Sequence, residues 1–169
     1  MPTEHGSVAA RGGDAGVTHG YNASAIRLRP EDHPMKLTLH HVNLSTTNVP
    51  AMDEFYRNVL DMRLEPTLNA NREVEQGYAG KVSFVTDGTT QVHLAEKDLN
   101  INFRTKQAIN PVERGHIAFR TDDIDAFKRR LKEKGIPYSD FGTWAMKGWD
   151  QIFFYDPDGN IIEVHQVRT

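Results

Sequence analysis

The chain has no cysteine. That absence excludes disulfides, thiolate metal sites and cysteine nucleophiles together. No apolar run approaches the roughly 18 residues of a membrane-spanning helix. The N-terminal stretch has neither the basic nor the apolar region of a secretion signal, so the Asn-Ala-Ser sequon at Asn22 carries little weight. A basic stripe is missing too. Twenty Lys and Arg stand against 23 Asp and Glu, a formal net charge of −3. This removes the electrostatic footprint of a nucleic-acid or anionic-membrane partner. The expectation is a soluble, cytoplasmic protein that acts on a small molecule. Its 169 residues are enough for one domain, or two small modules sharing a core.

Residues 1–34 show no period and are rich in Gly and Ala, which predicts a flexible N-terminal arm. His5, His19 and His33 lie there without a strand or helix around them and are expected to be solvated; docking of the arm on a partner subunit is the alternative. From residue 35 onward the chain divides into two similar halves. The first reads as a strand (LTLHHVNLS), an amphipathic helix (NVPAMDEFYRNVL) with Asn48 as N-cap and Pro50 in its first turn, then three strands: MRLEP, KVSFVTD and TQVHLAE. A polar linker containing Pro111 follows. The pattern then restarts with the strand GHIAFRT and the helix DDIDAFKRRLKEKG. That helix has an acidic start, a basic end and Gly135 at its C-terminus. Three strands close the half: IPYSDFG, QIFFYD and NIIEVHQ. HVNLSTTNVPAMDEFYRNVL lies over HIAFRTDDIDAFKRRLKEKG without a gap, at an offset of 75 residues. A repeat of this length outweighs any single motif. It predicts an α+β fold with module one at about 35–97, a linker at about 98–113 and module two at about 114–169.

The segment DPDGNIIEVHQ puts a carboxylate in an apolar strand. Asp156-Pro157-Asp158-Gly159 reads as the turn of a hairpin. Ile161, Glu163 and His165 then share one strand face. Burying a lone carboxylate costs several kcal/mol unless it is paired or bound to a cation. Taken alone, Glu163 reads as solvated or simply paired. The repeat changes that reading. His41 and His116 are equivalent in the first strand of each half, and His93 and Glu163 in the last. Two related modules thus offer four metal ligands at two equivalent positions, though any one of these His alone is more often structural. His and carboxylate together suit Fe, Zn, Ni, Co or Mn. Strand alternation places Asn43 on the face of His41, and Arg120 on the face of His116.

HHVNLSTTNVPAMDEFYRNVLDMRLE, GHIAFRTDDIDAF and FYDPDGNIIEV make the chain resemble the vicinal oxygen chelate superfamily from about Leu37 to Gln166. Glyoxalase I, methylmalonyl-CoA epimerase, extradiol dioxygenases and the fosfomycin and bleomycin resistance proteins belong to it. The resemblance implies paired βαβββ modules forming a cupped, barrel-like mixed sheet with helices outside, around one divalent metal ion. It implies His41, His116 and Glu163 as ligands and His93 as the fourth. His40 is expected to face the other way as a structural residue. Asn43 and Arg120 become substrate-binding candidates, and Glu163 and His93 catalytic ones, with Glu163 the expected general base.

No single member fits throughout. Glyoxalase I carries a second carboxylate where this chain has His93, and its glutathione-binding Arg and Asn are Ser45 and Lys97 here. The epimerase has a catalytic Glu on a strand where GYAGKVSFV offers none, although Glu73 and Glu75 lie upstream. Three functions follow from the resemblance. The first is a metal-dependent lyase or isomerase acting on neighbouring substrate oxygens. A non-haem Fe(II) dioxygenase using His/His/Glu is the second. A non-enzymatic small-molecule binding or resistance protein is the third, and retention of the ligand set argues against it. The substrate is expected to be small and anionic, with Trp144, Trp149, Phe141 and Tyr78 as candidate cup residues; plain core or dimer interface is the alternative for them. Arg104 and Lys147 read as surface charges. A homodimer is expected by resemblance.

Overall fold

The computed structural model describes residues 35–69, 71–72 and 78–168. The N-terminal arm, Glu73 and Glu75 fall outside the described residues. The first half supplies β1 (Leu37–Thr46), α1 (Val49–Asn58), β2 (Arg63–Leu64), α2 (Pro66–Asn69), β3 (Val82–Thr86) and β4 (Gln91–Glu96). After α3 (Ile101–Thr105), the second half supplies β5 (Gly115–Thr121), α4 (Ile124–Glu133), β6 (Tyr138–Thr143), β7 (Trp149–Tyr155) and β8 (Ile161–Val167).

Local chemistry fixes the element ends. Asn48 Oδ1 accepts the Ala51 amide at the start of α1, and Asp123 Oδ1 accepts the Ala126 amide at the start of α4. Helix α4 buries Ile124, Phe127 and Leu131, spaced along one face, against Ile152 and Val164 of the sheet. In the β7–β8 turn, Asp156 Oδ1 accepts the amides of Asp158 and Asn160, and Gly159 takes φ +82°.

All eight strands form one mixed sheet in the order β2-β3-β4-β1-β5-β8-β7-β6, which does not close into a barrel. Within each half the first strand runs parallel to the last: β1 with β4, and β5 with β8. The halves join through antiparallel β1 and β5, with Asn43 opposite His116. This order is what puts β4, β1, β5 and β8 side by side at the centre. Those are the four strands that carry His93, His41, His116 and Glu163.

The structure corrects the sequence reading in three places. The strand expected at MRLEP shrinks to two residues, because Pro66 opens the short helix α2. The polar linker contains α3, and its Ile101, Ile109, Pro111 and Val112 are buried. Ile101 and Val112 pack with Tyr78, Ala95 and Trp144. Third, β1 carries a bulge: Leu39 stands opposite Phe119 and His41 opposite Ala118, so His40 is the extra residue. An extra residue breaks strict alternation. His40 therefore does not face the other way.

Candidate functional site

Three ligand atoms converge at the centre of the sheet. His41 Nε2 lies 3.4 Å from His116 Nε2 and 3.7 Å from Glu163 Oε2, and His116 Nε2 lies 2.9 Å from that same oxygen. His41 is 2% exposed and Glu163 1%. Among the described residues, His41, His116 and Glu163 form the group able to hold a metal ion. Ligands about 2.1 Å from one ion stand roughly 3–3.5 Å apart, close to the spacing found here.

The other heteroatom of each residue is already engaged, and this decides which atom is free. His116 Nδ1 lies 2.8 Å from the Pro111 carbonyl, which can only accept. His116 therefore carries its proton on Nδ1 and turns the Nε2 lone pair inward. His41 Nδ1 is 2.9 Å from His40 Nδ1. With the proton on His41, His40 accepts it and His41 Nε2 is free. Burial, reinforced by the Arg120 charge, lowers the His40 pKa to about 3, so His40 is neutral at pH 7 and able to accept.

Glu163 Oε1 accepts the Gln151 amide at 3.2 Å and lies 2.8 Å from His165 Nδ1, a close contact that is not aligned as a hydrogen bond. Arg120 Nε donates to His165 Nε2 at 3.1 Å. Arg120 has no acceptor to offer, so His165 Nε2 must be unprotonated and its proton lies on Nδ1, toward Glu163. Burial would raise the Glu163 pKa, but the close His116 and His165 rings outweigh it and hold the carboxyl well below its usual range. Oε2 is left as the face toward the two histidines.

His93 stands apart from the three. Its ring stacks on His41 at 3.7 Å between centroids, and its Nε2 meets Gln91 Oε1 at 3.1 Å. The strand register that makes it equivalent to Glu163 brings it beside the group but not into it. Burial lowers its pKa, and that of His41, well below 6.5, so both rings are neutral.

A cavity opens over these residues. His41, Asn43, His93, His116 and Glu163 line it, together with Tyr78, Trp144 and Trp149. Phe141 packs behind Trp144 at 4.9 Å. Arg120 is not among the lining residues; it lies over the Trp149 ring at 5.1 Å. Arg104 pairs with Asp98, and Lys147 is exposed. Four contributors escaped the sequence reading: His40, His165, Gln151 and Arg72. His165 was within reach, because it shares the strand face of Glu163. His40 was not, because a bulge leaves no mark in the alternation of HHVNLS.

The histidines behind the ligands make a prediction. His40→Ala removes the acceptor that fixes the His41 tautomer, and is expected to weaken divalent-metal affinity about 10–100-fold. Competition with a chromophoric chelator measures it; unchanged affinity would show that His40 orients nothing.

The comparisons agree with this architecture. Residues 38–164 match the Glyoxalase/Bleomycin resistance protein/Dioxygenase superfamily. The chain is similar to a protein of Arabidopsis thaliana named glyoxylase I 4, with 29% identity over 136 residues, covering 78% of this chain and 72% of that protein. Among solved structures, a hypothetical protein of Bacillus halodurans superposes with a TM-score of 0.59 at 19% identity, covering 79% of this chain and 96% of the other. Methylmalonyl-CoA epimerase of Mycobacterium tuberculosis superposes with a TM-score of 0.56 at 20% identity, covering 78% and 88%. With residues 38–164 matched and the fold shared, the chain belongs to the Glyoxalase/Bleomycin resistance protein/Dioxygenase superfamily.

Proposed function

We propose that the protein is a metal-dependent enzyme of this superfamily, a lyase or isomerase acting on a small substrate that presents two neighbouring oxygens. The carrying observation is that His41 Nε2, His116 Nε2 and Glu163 Oε2 face one point while their other heteroatoms are engaged elsewhere. Two imidazoles and one carboxylate would hold a divalent Fe, Zn, Ni, Co or Mn. When bound, such an ion supplies Lewis-acid stabilisation of charge developing on the substrate oxygens.

The protein's own groups divide the remaining work. Glu163 is tied by His165 and Gln151 and kept ionised, which suits an anchoring ligand better than a proton acceptor. His93 is neutral and lines the cavity with its Nε2 on Gln91 Oε1; burial opposes a lasting charge on the ring, so a proton it takes from the substrate is held only in passing and given back. Tyr78, Trp144 and Trp149 exclude water from the site. Accordingly, His93→Gln is expected to keep the metal and to lower turnover by about 100-fold or more. If turnover survives, the proton goes instead to Glu163, the base that its position in the repeat suggests.

One observation favours a second reading. With His93 outside the group, two His and one carboxylate is the set used by non-haem Fe(II) oxygenases. Metal analysis of untagged protein separates the two. Iron with oxygen consumption favours the dioxygenase; activity under anaerobic conditions with Zn, Ni, Co or Mn favours the lyase or isomerase. Assembly as a homodimer is part of the same proposal, supported by Phe55, Val59, Leu60 and Leu64, which are exposed on and after α1. A monomer by light scattering at micromolar concentration would count against it.

A further inference from the structure

Two connections, one from each half of the sheet, contribute residues to the cavity lining. Arg72 comes from the β2–β3 connection; Trp144, Ala145 and Met146 come from the β6–β7 connection. The two are tied by an Arg72–Met146 bridge and by the Lys147 amide on the Asn71 carbonyl at 2.7 Å. Ala145 holds φ +59°, a left-handed conformation uncommon for a residue with a Cβ. It reverses the chain between Trp144 and Met146, both of which line the cavity.

These residues include a cation without a carboxylate partner among the described residues and a buried donor without any partner. Arg72 is the one Lys or Arg among the described lining residues, and it is half-buried. Its Nη2 donates to the carbonyls of Gly80, at 2.9 Å, and Tyr78, at 3.5 Å. Among the described residues no carboxylate pairs with it. Trp144 is 6% exposed, and its buried Nε1–H has no hydrogen-bond partner there. Burying an N–H donor without a partner is costly, and a half-buried guanidinium with carbonyl partners only still favours an anion nearby. The charge balance agrees. Glu163 and a divalent ion leave about +1 at the ligands, and Arg72 adds another +1. The lining acceptors call for a donor on the same ligand: Gln151 spends its amide on Glu163, leaving Oε1 buried without a donor, and Asn43 Oδ1 is likewise unpaired. The space inside is about 50 Å³, a few water volumes.

We propose that Arg72 and Trp144 form a subsite for a carboxylate of the substrate, separate from the oxygen pair that faces His41, His116 and Glu163. The inference deepens the metal-enzyme reading and, in its chelating half, rests on it. The substrate class that follows is a small acid with two neighbouring oxygens and a further carboxylate, carrying a hydroxyl that Gln151 Oε1 accepts. A guanidinium and an indole N–H lining one cavity can recognise a carboxylate through charge-assisted hydrogen bonds.

Lactate and malate test this by titration calorimetry on metal-reconstituted protein. Both offer a hydroxyl beside a carboxylate, and malate adds a second carboxylate. The wild type is expected to bind malate at least about tenfold more tightly than lactate, where tenfold is 1.4 kcal/mol. Arg72→Gln and Trp144→Phe should each remove most of that preference while lactate affinity and metal content stay unchanged. Arg72→Lys should recover part, since it restores the charge without the fork. An unchanged malate-to-lactate ratio in both Arg72→Gln and Trp144→Phe, or no preference in the wild type, overturns the subsite. Because Arg72 also ties its own loop, circular dichroism checks that variant, and Trp144→Phe tests the subsite independently. Succinate binding to metal-free protein separates the two claims. Binding that depends on Arg72, in a protein that never takes up metal, keeps the subsite and sinks the metal reading.

Discussion

His116→Ala and Glu163→Ala are each expected to lose the bound divalent ion, with affinity falling by about a hundredfold or more. Metal binding through a few ligands is commonly worth on the order of 10 kcal/mol, so one ligand carries about 3 kcal/mol. The two variants fail differently. His116→Ala removes one imidazole but leaves Glu163 ionised, with His165 and Gln151 still on Oε1. Glu163→Ala removes the sole carboxylate of the group and leaves the Gln151 amide without its acceptor. A buried donor stranded in this way costs about 1–3 kcal/mol, so Glu163→Ala should also lower the melting temperature of the metal-free protein. Metal analysis by mass spectrometry reads the first effect and thermal unfolding the second. If both variants keep their metal, the site is wrong.

Acid is expected to unfold the protein in the range below pH 6.5, well before ordinary carboxylates titrate. His41 and His93 are 2% and 5% exposed, and burial lowers both pKa values well below 6.5. The unfolded chain takes up protons near pH 6.5, and the folded chain cannot. Stability is therefore full above pH 6.5 and is lost as pH falls, at about 1.4 kcal/mol per unit for each ring, or roughly 3 for the pair. His40 adds to this with the same sign until it protonates near pH 3, though partial exposure reduces its share. Glu163, whose carboxyl is held well below its usual range, adds a further loss below the unfolded carboxylate pKa, again with the same sign. Any bound metal would leave over the same range, because the imidazoles must be neutral to ligate. Melting temperatures at pH 7.5, 5.5 and 4.5 test the slope. A flat profile across that range would mean that His41 and His93 are not held neutral by the fold.

The sequence by itself determined the α+β class, the two repeated halves, both helix caps and the equivalence of His41 with His116 and of His93 with Glu163. Each of these is local or periodic. Asn48 and Asp123 announce helix starts through short-range hydrogen bonds, and a repeat offset survives in the sequence whatever the tertiary packing. Only the tertiary structure decided which equivalents meet. The β1–β5 and β5–β8 ladders bring His41, His116 and Glu163 within one site, while His93, at a position equivalent to Glu163, stacks on His41 instead. The roles of His40, His165 and Pro111 belong to that level as well. His40 turns inward through a one-residue bulge, His165 takes its tautomer from Arg120 across 45 residues, and the Pro111 carbonyl orients His116 from a segment that reads as polar linker. The physical reason is that a hydrogen bond between side chains far apart in sequence fixes a proton's position only once the sheet has set their distance. Composition and periodicity carry which residue types lie on a face, and not which of their atoms remain free.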